Sequence, residues 1–193
     1  MRKTTQLVIA TLSICSLMTA CEKPKKIEEP SKNSTTLTVD ATAYDKWVYV
    51  SFKEGKTVAI TDFQNDLSWD MALHRYDVRL NGGQSGKGKG AALQTSYTDL
   101  DKLTAIPATG YITDVTDSIM LSMPPTYDVQ PFNKEASRWM KLNTATMPPV
   151  YELNDNVFIF KTAEGKHVKI KFIDYINAEN IKGHIKFTYV YMD

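Results

Sequence analysis

From residue 37 onward strand signals dominate, and in several runs, among them the two within 157–173, apolar and polar residues alternate with a period of two, the pattern of strands buried on one face. Residues 184–191 (HIKFTYVY) do so strictly. Residues 47–52 (WVYVSF) are rich in aromatic and β-branched side chains, and EGK at 54–56 reads as a turn into residues 57–60. Further strands are expected at 67–73, 76–80, 111–115, 118–123, 157–162 and 167–173. The AEG at 163–165 marks a hairpin between the last two. Helical signals are thin, confined to residues 134–140 and 177–182. The expected fold class is all-β, mostly antiparallel, with few short helices.

The first residues break this pattern. Arg2 and Lys3 precede an apolar run at 7–18, and Leu17, Met18, Thr19 and Ala20 lead into Cys21. A charged start, a short apolar stretch and small residues before a cysteine resemble a bacterial lipoprotein signal. The apolar run is shorter than the ~20 residues a spanning helix needs. Residues 1–20 are therefore expected to be a signal peptide, with lipid carried on Cys21; ordinary secretion with a spare thiol is the alternative. Residues 21–36 are charged and rich in Lys, Pro and Ser, which suits a flexible tether. Residues 37–193 would then form one β domain, within the usual size for a single unit.

Composition narrows the function. The two cysteines, Cys15 and Cys21, both lie outside the β domain, which has no disulfide and no thiolate metal site. Taking Arg2 and Lys3 from 23 basic residues leaves 21 against 22 acidic ones. That balance gives no electrostatic case for nucleic acid.

Candidate chemistry is sparse. Gly83, Gly88 and Lys89 fit part of a phosphate-loop spacing, but Gly90 stands where Ser or Thr would hold a metal, and no helical pattern follows. A mobile or tightly turning connection is the better reading of GGQSGKGKG at 82–90. His74, His167 and His184 lack metal-ligand spacing. Asp70, Arg75 and Asp77 near His74 suggest a charge network. No nucleophile elbow, zinc-protease motif or thiol nucleophile is present, so an enzyme is not supported. The doubled Met-Pro-Pro, at Met123 and Met147, stands out. Proline stiffens the backbone beside each methionine. The thioethers either fill core gaps or form a pair of soft ligands able to hold haem iron.

Residues 65–81 (NDLSWDMALHRYDVRLN), running into GKGKG at 86–90, resemble the HmuY family of haem-binding lipoproteins of Bacteroidota. The likeness continues in PPVY at 148–151, VF at 157–158, FIDY at 172–175 and IKFTYVY at 185–191, and is weakest over 119–143. It implies an all-β, hand-shaped fold that clasps haem b between two long projections. It also implies a lipid-anchored outer-membrane protein, facing the surface or the periplasm and partly released. Such a protein would capture haem from host haemoproteins and pass it to a TonB-dependent receptor.

The resemblance also marks a departure. The family's histidine pair has no counterpart here: the place of the second falls near Thr144, and the loop holding the first has no histidine. Relatives with methionine pairs point to Met123 and Met147 as iron ligands, with Met120 in reserve and Met140 in the core. Tyr127, Phe132, Trp139 and Tyr151 are expected to line the haem pocket, with Lys134 or Arg138 meeting a propionate. The competing reading is a surface adhesion or interaction module on the same scaffold, without haem.

Overall fold

The computed structural model describes residues 33–145, 147 and 150–192. The expected signal peptide, Cys21 and most of the tether lie outside the described residues. Among the described residues thirteen strands follow one another: β1 (Thr35–Asp40), β2 (Val48–Ser51), β3 (Lys56–Val58), β4 (Met71–His74), β5 (Asp77–Leu80), β6 (Ala91–Gln94), β7 (Val115–Met120), β8 (Tyr127–Phe132), β9 (Met140–Asn143), β10 (Val150–Leu153), β11 (Phe158–Lys161), β12 (His167–Ile176) and β13 (Lys182–Met192). The one helical element among the described residues is a 3-10 turn, Ala136–Trp139, inside the first stretch with a helical signal. The second, at 177–182, is the turn between β12 and β13. The tether expected to end at 36 ends sooner, because Thr35 and Thr36 already pair with Tyr189 and Thr188.

Two antiparallel sheets share one core. The larger runs β1-β13-β12-β11-β6 and the smaller β3-β2-β4-β5. In β12 the alternation buries Val168, Ile170 and Phe172; in β13 it buries Ile185, Phe187 and Tyr189. These meet Val50, Met71, Leu73, Val78 and Leu80 of the smaller sheet in a single cluster. Burying a side chain of this size is worth about 1.5–3 kcal/mol, which makes this cluster the main source of stability. Asp70 joins the sheets: its carboxylate accepts the Phe52 N–H (2.8 Å) and the Ala163 N–H (2.9 Å). The expected network around His74 therefore does not form as one unit. Asp77 pairs with His74 at 3.3 Å, while Arg75 donates to the carbonyls of Thr42 and Lys182.

The glycine-rich loop is tightly packed around Asn81, which is fully buried. The Asn81 amide donates to the carbonyls of Asp66 and Trp69, and its oxygens receive the N–H groups of Gly88 and Gly90. A side chain at Gly82 would stand 2.2 Å from the Gly90 carbonyl oxygen. The glycines let two backbones touch, and N–H groups that a phosphate would need are already used inside the protein.

The remaining strands make two hairpins outside the sheets, β7–β8 and β9–β10. Both start from the free side of β5. Arg79 Nε donates to the Pro131 carbonyl (2.8 Å), Asn133 N–H to the Val78 carbonyl (2.7 Å), and Trp139 Nε1 to the Tyr76 carbonyl (2.9 Å). The Val78 N–H is taken by Ser137 Oγ at 2.9 Å. Residues 131–139 thus cover an edge that would otherwise expose unpaired backbone groups, and they seat the bases of both hairpins on one rigid strand.

Candidate functional site

Each hairpin carries the methionine of one Met-Pro-Pro sequence at its tip, Met123 on the first and Met147 on the second. Residues 121–126 connect β7 to β8 and residues 144–149 connect β9 to β10. Met123 precedes a cis peptide bond to Pro124. The tip of the first hairpin is closed by Leu121 N–H to the Thr126 carbonyl (2.8 Å) and by Ser122 Oγ to the Pro124 carbonyl (2.7 Å). Met123 is 64% exposed and Met147 87%, whereas Met71 and Met140 are 0% and 8%. A methionine is usually core filling; these two are not.

The register of the first hairpin sorts its faces. Met120 lies opposite Tyr127 and Ser118 opposite Val129, while Ile119, Gln130 and Phe132 point the other way. The second face is turned toward the body. Ile119 and Phe132 are buried, and Gln130 accepts from Trp47 Nε1 at 2.9 Å. The first face is open, with Tyr127 and Val129 exposed and Met120 half-buried. In the second hairpin Leu142 lies opposite Tyr151 and Met140 opposite Leu153 on one face. That face grades from buried Met140, through half-buried Tyr151 and Leu153, to exposed Leu142. Tyr151 packs on Tyr76, ring centroids 4.4 Å apart, and Tyr76 also meets Tyr175.

Two expected pocket residues are displaced by this arrangement. Trp139 is fully buried, stacked on Phe172 at 4.6 Å, because the 3-10 turn aims its indole into the core. Phe132 sits at the base of the first hairpin opposite Val115 and is 8% exposed. Neither presents a ring to a ligand. Tyr127 and Tyr151 stay accessible in whole or in part. The cations expected to meet a propionate are already paired: Lys134 with Asp117, whose carboxyl this bond holds below the usual range, and Arg138 with Glu135 at 3.2 Å. Lys141 on β9 is exposed and outside every ion pair among the described residues.

Sequence reading missed Val129, Leu142 and Val150, which stand 66%, 53% and 43% exposed on the hairpins. Their signal was the alternation in YDVQPF at 127–132 and the apolar positions flanking the second Met-Pro-Pro. No histidine falls between residues 115 and 153, and His74 is buried with Nε2 2.6 Å from the Tyr44 carbonyl oxygen.

The family model described as HmuY protein matches residues 43–189, most of the chain and both hairpins. The chain belongs to the HmuY family. Its HmuY fold is shared with solved structures. One is described as an HmuY-like haem-binding protein of Bacteroides vulgatus (29% identity, TM-score 0.72, covering 86% of this chain and 96% of that one). A second is described as a lipoprotein of Bacteroides fragilis (28% identity, TM-score 0.71, 86% and 95%). A third is the apo HmuY analog of Tannerella forsythia (25% identity, TM-score 0.68, 83% and 96%). No curated protein matches the chain at the same stringency.

Proposed function

We propose that this HmuY-family chain binds haem b between its two hairpins, with Met123 and Met147 supplying sulfur to the iron. The observation that carries the reading is the pair of solvent-exposed thioethers, each at the tip of its own hairpin in the same Met-Pro-Pro setting. The surroundings suit a flat apolar ring with a polar rim. Tyr127 and Val129 on the first hairpin and Leu142 on the second offer exposed apolar surface near the tips; Val150 and Lys141 stand on the other face of the second hairpin, where Lys141 is exposed and outside every ion pair among the described residues. Covering such surface with a porphyrin is favourable at about 25 cal/mol per Å².

The bound haem would supply an iron centre for transport. The chain's residues bind, orient and shield it. A thioether is a soft, neutral donor, so it favours ferrous iron and raises the reduction potential relative to imidazole. Haem should be held more tightly when reduced. The reading extends to an outer-membrane lipoprotein anchored through Cys21, which takes haem from haemoproteins and passes it to a TonB-dependent receptor. It involves no catalysis.

Titrating haemin into the protein, followed by the Soret band with and without dithionite, tests the reading. Wild type should form a distinct reduced complex. Met123→Ala and Met147→Ala should each change its spectrum and weaken it. Unchanged spectra and affinity in both variants would remove the methionine pair.

A further inference from the structure

The HmuY-like domain holds no thiol, so its sulfur is all thioether, which can be oxidised to a sulfoxide and restored by reduction of that sulfoxide. Among the described methionines, exposure divides sharply. Met71 and Met140 are sealed in the core, Met120 and Met192 are half-buried, and Met123 and Met147 stand 64% and 87% exposed. Susceptibility to oxidation follows access. Both accessible sulfurs sit at hairpin tips, in loops outside the two packed sheets, so a change there leaves the core intact.

We propose that Met123 and Met147 form a paired, reversible oxidation site at which peroxide switches off ligand capture; this rests on the haem reading above. The sulfur lone pair attacks one oxygen of a hydroperoxide. An S–O bond forms as the O–O bond breaks, the sulfur is oxidised by two electrons, and the departing oxygen takes a proton and leaves as water or an alcohol. The product is a sulfoxide, which is polar and chiral and presents a hard oxygen where a soft sulfur stood. A dithiol-dependent methionine sulfoxide reductase reverses the change, the oxygen leaving as water and the dithiol becoming a disulfide. Capture would then be confined to reducing surroundings by the protein's own ligands, in addition to the iron's preference for the ferrous state. Met120 is not part of the switch: it is half-buried and lies across the ladder from Tyr127.

The experiment exposes the apo protein to graded hydrogen peroxide, removes the peroxide with catalase, and divides the sample. Peptide mass spectrometry should find one added oxygen on the peptides carrying Met123 and Met147 before any on those carrying Met71 or Met140. Haemin titration with dithionite should show affinity falling about tenfold or more as these two sulfoxides accumulate, and recovering after sulfoxide reductase and dithiothreitol. A Met123→Leu/Met147→Leu variant should show no further peroxide-dependent change in whatever haem binding it retains. Oxidation that begins at Met71 or Met140 overturns the proposal. So does full sulfoxide formation at both tips with haem affinity intact, a result that leaves haem binding standing and removes only the switch. Absence of any haem complex in untreated protein overturns the haem reading and the switch together.

Discussion

Asn133 Nδ2 donates to Asp114 Oδ1 over 2.9 Å, closing the base of the first hairpin between the residue before β7 and the residue after β8. The other carboxylate oxygen receives the Leu80 N–H (2.9 Å) and Ser85 Oγ (2.6 Å). One buried side chain therefore ties together β5, the glycine-rich loop and the hairpin.

Burial pushes the Asp114 carboxyl up to about 6, although its hydrogen bonds and Arg79 pull the other way. With the folded value above the unfolded one, Asp114 stabilises most below pH 4, and that contribution is lost as pH rises through about 6. Asp114→Asn removes the titration. The stability of wild type minus that of Asp114→Asn should grow by roughly 2 kcal/mol between pH 7 and pH 4. Urea unfolding of both proteins at the two pH values measures it, and a flat difference would show that Asp114 does not titrate in this window.

Arg79 is the second anchor. Its guanidinium is 1% exposed, lies 4.0 Å from the Trp47 ring centroid and 4.4 Å from that of Phe63, and also donates to Tyr49 Oη and Gln130 Oε1 at 3.3 Å. A lysine keeps the charge but loses the planar fork that reaches these partners together. Arg79→Lys should cost about 2–3 kcal/mol in urea unfolding, with a change in Trp47 fluorescence as the hairpin base loosens. Retained stability would mean that the stacked rings, and not the fork, hold this strand.

How much of this was legible in the sequence depends on where a residue's partners lie. The core strands β12 and β13 were readable because Val168, Ile170, Phe172, Ile185 and Phe187 alternate against one large apolar surface. Strands β8, β9 and β10 were not, since several of their apolar residues are exposed, and proline stands within β8 at 131 and in sequence directly before β10 at 148 and 149. Trp139 read as a pocket residue because it neighbours the hairpins in sequence. Its partner, Phe172, comes from a distant strand that no local pattern could supply. Met123 and Met147 were legible as a repeated motif, while their exposure needed the fold.

Gly82, in the loop packed around Asn81, and Gly110 differ in what an added side chain would meet. At Gly82 an added Cβ meets backbone atoms of Gly90 at 2.2–2.9 Å, which no side-chain rotation relieves. At Gly110 the φ of +93° is unfavourable, but the nearest atom is the tip of Leu93 at 3.3 Å. Gly82→Ala should therefore destabilise by about 3 kcal/mol or more, and Gly110→Ala by about 1–2 kcal/mol. Thermal unfolding of the two variants side by side checks the order; equal losses would mean that the loop can open without cost.

The apolar faces of the hairpins allow binding to be separated from folding. Val129 and Leu142 are 66% and 53% exposed and lie on different hairpins. Replacing either by serine removes little buried surface, so unfolding free energy should move by no more than about 0.5 kcal/mol. If a porphyrin covers these side chains, each substitution strips apolar contact from the complex alone. The affinity for reduced haem should then fall about 3–10-fold per variant, and the losses should roughly add in the double variant because the sites are separate. Soret titration under dithionite, with urea unfolding in parallel, tests this. If Val129→Ser weakens binding and Leu142→Ser does not, the ring rests on the first hairpin alone, and Met147 would need reassigning.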